Sequence, residues 1–132
     1  KPVANPLSDK ERAKEDAVFA KVMEMAREEK QEIPDAAALE ERVTELKQLI
    51  KALQDREVDV IFFEMPISDG LCEAPFARHI RATMHEHFPD GLYTYLPSPD
   101  CSQYTTTDGA HLDKGSVMKF ASWFGEQMHI VR

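Results

Sequence analysis

Leu39, Val43, Leu46, Ile50 and Leu53 recur at alternating spacings of 4 and 3, and Val58-Asp59-Val60-Ile61-Phe62-Phe63 follows almost at once. The first pattern gives one apolar stripe on a helix, and the second is a β-branched and aromatic run of the kind buried in parallel sheets. A helix stripe covering fewer than three heptads is short for a coiled-coil seam, so it predicts a face packed on a sheet. Helix leading directly into buried strand is the step that most restricts the chain, because it belongs to layered α/β architectures.

The remaining punctuation extends that pattern. Ser8-Asp9-Lys10-Glu11 fits a capping box and predicts a helix to about Lys30, with Val18, Val22, Met25 and Ala26 on its apolar face and Phe19 and Met23 beside it. Pro34 ends that helix and Asp35 caps the next. After the strand, Pro66 and Ser68-Asp69-Gly70 predict a loop. Pro75 stands at a first helical position, and Phe76, Ile80, Met84 and Phe88 follow at helical spacing. Leu92 to Leu96 reads as a second strand and Pro97 to Thr107 as a polar loop. A last helix is expected from Asp113, with Leu112 and Val117 as a hydrophobic staple and Val117, Phe120, Ala121, Phe124 and Met128 inward.

Helix, strand, helix, strand, helix is the order of a doubly wound parallel sheet in which helices dominate. Two strands are too few to own an interior with helices on both faces. The expectation is an incomplete α/β fold, its other strands supplied by upstream sequence, another chain or a homodimer. The start at Lys1 rather than Met points to a processed chain or a piece of a longer one.

Bulk properties exclude several functions. A chain of 132 residues with 42% hydrophobic content suffices for one core. A net charge of -8 argues against a nucleic-acid surface, which needs clustered Lys and Arg to replace counterions. No apolar run reaches the roughly 20 residues of a membrane span. Residues 1–57 hold 11 of the 16 basic and 14 of the 24 acidic side chains, whereas all five histidines lie beyond residue 78, so the second half carries the chemistry.

In open parallel sheets the functional crevice lies beyond the C-terminal ends of the strands, where the loops 66–73 and 97–112 emerge. Asp108 and His111 sit in the second loop, in Thr107-Asp108-Gly109-Ala110-His111-Leu112. A histidine that takes a proton from a hydroxyl needs its other ring nitrogen held by an acceptor, and a carboxylate three residues earlier on a tight turn can supply it. The same spacing also serves simply to cap a following helix. Ser68 and Tyr104 are the candidate substrate-binding residues, although Ser68 also suits a turn, and Tyr93, Tyr95 and Tyr104 also suit packing. Ser102 and Cys101 share the loop of His111. Cys72 and Cys101 match no zinc spacing; they read as free thiols, with a disulfide across the two loops as the alternative. His79, His85 and His87 share no helix face, so no metal is expected, and no motif calls for a cofactor.

The block Asp108-x-x-His111-Leu112, on a loop just before the C-terminal helix, resembles the SGNH (GDSL-type) hydrolases. The helix leading into Val58 to Phe63 and then Glu64-Met65-Pro66 is similar to that family's penultimate strand, and the resemblance covers roughly residues 36–128. It implies a flavodoxin-like three-layer fold, with residues 1–35 as a helical lead-in or insertion and 36–132 as the C-terminal part of the domain. It also implies acyl transfer from an ester or acylated carbohydrate, with His111 as general base and acid, Asp108 as its orienting acceptor, and an extracytoplasmic setting. The family's Gly-Asp-Ser nucleophile block and oxyanion-hole asparagine are not in this sequence, whose one asparagine is Asn5. The chain alone is therefore not expected to be active. The alternative is a non-catalytic binding or assembly module docking through its amphipathic helices.

Overall fold

The structure is a computed structural model that describes residues 7–131. Five helices and two short strands follow in the order α1 (Asp9–Glu29), α2 (Ala36–Gln54), β1 (Ile61–Phe62), α3 (Asp69–Cys72), α4 (Pro75–His87), β2 (Thr94–Tyr95) and α5 (Lys114–Val131), with a 3₁₀ turn at Cys101–Gln103 before α5. This is an α/β arrangement in which helix dominates.

Helix starts follow the capping chemistry. Ser8 accepts from the Glu11 backbone N–H while Glu11 reaches back to the Ser8 N–H, the reciprocal box expected from the sequence. Asp35 accepts from the Ala38 N–H, and Pro75 occupies the start of α4. The end of α2 has no glycine signal. There Val58 N–H donates to Leu53 O (3.0 Å) and Glu57 N–H to Gln54 O (2.9 Å), with Glu57 at φ 61°, which is a Schellman closure on a non-glycine residue.

β1 and β2 pair in parallel, Ile61 opposite Thr94 and Phe62 opposite Tyr95, and Leu96 N–H extends the ladder to Phe62 O at 2.8 Å. The ladder is shorter than the apolar runs. Val58 is withdrawn from it by its bond to Leu53, and Tyr93 N–H is taken by Pro89 O in the turn after α4. Among the described residues neither strand has a second neighbour, so each keeps one unpaired edge.

Successive strand residues face opposite ways, and β1 shows both layers. Phe62 joins Val43 and Ile50 of α2 and Phe88, which is fully buried, with Leu39, Leu46, Met84, Tyr93 and Tyr95 around them. Phe63 faces α5, its ring centroid 4.9 Å from Phe124 and 6.3 Å from Phe120. The α2 stripe is thus the sheet-facing surface its spacing predicts.

Two expected faces need correction. On α1 only Met23 is buried, while Val18, Phe19 and Met25 stay exposed, because the helix touches the body chiefly through the short α3. On α5 the expected staple residue Val117 and Ala121 are exposed, and the inward line is Ser116 and Phe120 with Trp123 and Phe124 partly covered. Ser116 Oγ accepts from Thr105 N–H at 2.8 Å, which rotates the helix one position from the all-apolar choice.

Candidate functional site

Beyond β2 the chain turns through the 3₁₀ segment and then forms a narrow loop whose two arms are tied together. Thr106 and Leu112 form an antiparallel bridge, Thr107 N–H donates to His111 O (2.8 Å), and Asp113 N–H donates to Thr105 O (3.1 Å). Its base is anchored to α5. Asp113 accepts from Ser116 N–H at 2.9 Å as the helix cap, and the Thr105 hydroxyl donates to the same carboxylate. These bonds, that of Thr105 first, hold the Asp113 carboxyl below its ordinary acidity range.

The tip of this loop is Asp108 to His111. Asp108 Oδ1 accepts from the backbone N–H of Ala110 (2.9 Å) and of His111 (2.8 Å), and Oδ2 meets His111 Nδ1 at 2.5 Å. Three donors on one carboxylate favour its charged form, and the two backbone N–H groups, that of His111 first, bring its pKa down from 3.8 to about 2. With Nδ1 donating to that anion, the lone pair of the neutral imidazole lies on Nε2. The His111 side chain is 80% exposed and that of Asp108 43%. Gly109 makes the tip reachable: it has φ +95°, and a Cβ there would stand 2.8 Å from Met23 Sδ and 3.0 Å from Leu71 Cδ1.

The loop after β1 comes to the same place, because Ser68 N–H donates to Gly109 O at 2.9 Å. Both expected loops therefore meet at the pair. They are also joined covalently, since Cys72 and Cys101 form a disulfide with Cα atoms 6.5 Å apart. The free-thiol reading is overturned, and Cys101 with it as a candidate nucleophile.

A cavity of about 790 Å³ opens beside the tip, within the range typical of small-molecule sites, and Gly109 and Ala110 form part of its wall. Ile67, Leu71, Phe76 and Ile80 line it, as do both cysteines and Arg81. Arg81 Nε donates to Glu64 at 2.7 Å, Nη1 to Glu73 at 3.3 Å and Nη2 to Cys72 O at 3.2 Å. Burial opposes its charge, but the bonds and charges of Glu64 and Glu73 outweigh this and raise its pKa. A second, shallower groove of about 670 Å³ runs along α1 and reaches Thr107. Asp108 and His111 themselves line neither concavity; their loop neighbours Gly109 and Ala110 line the first and Thr107 the second.

The other expected site residues fall differently. Ser68 contributes through its backbone, as the residue before α3 and the donor to Gly109, and its side chain makes no capping bond. Tyr104 is buried, 6.1 Å from the Phe120 ring and under the Lys119 ammonium, so it packs the core instead of lining the cavity. The Ser102 hydroxyl donates to Asp100. Among the described residues no hydroxyl or thiol hydrogen-bonds His111 Nε2, and no group of three His, Cys, Asp or Glu side chains could hold a metal ion. A second Asp–His contact, His85 Nδ1 to Asp90 at 2.8 Å, lies at the far end of α4 with His85 stacked on Tyr95, and lines neither concavity.

Sequence reasoning missed Arg81, whose partners lie 17 and 8 residues away, and Met23, which closes the tip from α1. Among the described residues no helix is long and apolar enough to cross a membrane. No protein-family model matches the chain, and no curated protein or solved structure is significantly similar to it.

Proposed function

We propose that this chain is the C-terminal part of an SGNH-type esterase or O-acyltransferase with a flavodoxin-like sheet, and that Asp108 and His111 are two members of its triad. The observation that carries this reading is the 2.5 Å contact between His111 Nδ1 and a carboxylate held anionic by two backbone N–H groups, which leaves Nε2 exposed as a base. His111 takes the proton from a serine hydroxyl as it attacks the ester carbonyl, then returns it to the leaving alcohol, while Asp108 holds the ring and stabilises the imidazolium. The serine and the oxyanion donors come from a further segment that adds strands to the sheet, either upstream sequence, another chain or a second copy. The two unpaired strand edges support this. The substrate is an ester or acylated carbohydrate. The disulfide supports an oxidising, extracytoplasmic compartment.

The test is fluorophosphonate labelling of the protein isolated from its source. A labelled serine is expected, with His111→Ala slowing labelling by about 10²-fold or more. Labelling that is absent, or indifferent to His111, overturns the proposal. A second reading, an assembly module without catalysis, is favoured by α1, on which residues 9–21 are exposed throughout and include Val18 and Phe19. It predicts that Asp108→Ala changes stability or oligomeric state and no turnover.

A further inference from the structure

The cavity beside the tip is too large for the smallest acyl groups. At about 30 Å³ for each water-sized group, 790 Å³ holds roughly two dozen of them, several times an acetyl group. Its walls come from the loop after β1, from α3 and α4 and from the loop after β2, and the Cys72–Cys101 bond ties two of those walls together. The space is therefore built in, not formed by a loose surface helix. The groove on α1 differs, being bordered by Glu11, Lys14, Glu15 and Asp16 on a helix that is largely exposed.

Charge on the cavity wall is mostly spent internally. Glu64 and Glu73 are bound to Arg81, and Asp100 holds the Ser102 hydroxyl and N–H. Lys30, its ammonium 4.2 Å over the Phe76 ring, and Asp69 are not joined by any salt bridge among the described residues, and the wall carries four acidic side chains against two basic ones. What remains for a ligand is the apolar surface of Met65, Ile67, Leu71, Phe76, Ala77 and Ile80. An unbranched hydrocarbon chain matches such a surface, since it needs no polar partner and gains from every group removed from water.

We infer that this cavity is the acyl-chain subsite of the centre, which places the substrates among esters of medium-chain aliphatic acids rather than acetyl esters. The inference rests on the proposed Asp108–His111 chemistry for its meaning as a substrate site, while the binding it predicts does not depend on catalysis. Gly109 and Ala110, which form part of the wall, lie between the two members of the pair in the chain, so a ligand seated there lies beside the tip, while Asp108 and His111 themselves do not line the cavity.

The chain itself is titrated calorimetrically with butyrate, hexanoate and octanoate. Affinity is expected to rise about fourfold for each added methylene, the fold-change equivalent of about 0.8 kcal/mol. Ala77→Trp places an indole in the cavity and is expected to weaken octanoate binding at least tenfold with an unchanged circular-dichroism spectrum. Should that variant not fold, Ile80→Gln serves, with the same loss expected from a polar amide on the wall. Affinity that does not grow with chain length, or octanoate binding that is indifferent to the folded cavity variant, overturns the inference. Octanoate binding with no His111-dependent labelling removes the catalytic proposal alone, and His111-dependent labelling with no octanoate binding removes this inference alone.

Discussion

Gly109→Ala tests whether the tip is held against α1 as described. Two costs add. At φ +95° an alanine loses roughly 1–2 kcal/mol relative to glycine. Its Cβ would also stand 2.8 Å from Met23 Sδ and 3.0 Å from Leu71 Cδ1, both within a covered part of the structure, and overpacking of that kind costs roughly 1–3 kcal/mol. The expected loss is therefore about 2–5 kcal/mol in urea unfolding, against a total stability on the order of 5–15 kcal/mol for a domain. The two costs separate in a double-mutant cycle. With Met23→Ala already present the nearest obstruction is gone and only Leu71 Cδ1 at 3.0 Å is left, so Gly109→Ala should then cost less, and the coupling between the sites should reach at most about 1–3 kcal/mol. If Gly109→Ala costs the same in both backgrounds, Met23 does not close the tip. If it costs under about 1 kcal/mol in the unaltered chain, the positive φ is wrong as well.

Two further predictions concern the same region. Asp108 binds its proton less readily folded than unfolded, so its contribution is fully present above about pH 5 and is lost as pH falls through 3.8 and on to about 2. Carbon-detected titration should give its midpoint near 2, and Asp108→Asn should flatten the acid limb of the stability profile between those values; parallel profiles would refute the bonding pattern. Reduction of Cys72–Cys101 opens a loop closed across 29 residues, which corresponds to roughly 3.6 kcal/mol of chain entropy at room temperature. The urea midpoint with and without reductant reads this directly, and a change below about 1 kcal/mol would mean that the two loops are held together without the bond.

What the sequence made legible is what neighbouring residues decide among themselves. Ser8 with Glu11, Asp35 with Ala38, Pro75 at the start of α4, and the α2 stripe are local patterns, and each stands where expected. Asp108 and His111 belong to the same class: three residues apart across a glycine, they meet because the turn brings them together, not because the rest of the fold does. The illegible features depend on partners far along the chain. Nothing near Tyr104 announces that Phe120 will bury it, and nothing near Val117 announces that Ser116 will turn inward to satisfy Thr105 N–H. Glu57 closes α2 in a conformation usually reserved for glycine, so the helix end carries no signal. The cavity is the extreme case, since residues from Lys30 to Ala110 each supply a small part of its wall. This division bears on the proposed function directly. On that proposal the base and its orienting carboxylate are local and carried by a short block of sequence, whereas the proposed ligand selectivity resides in the non-local wall. Chains that share the Asp-x-x-His block can therefore share a proton-transfer step while differing in what they accept, and for this chain Ala77→Trp and His111→Ala are the pair of changes that separate the two.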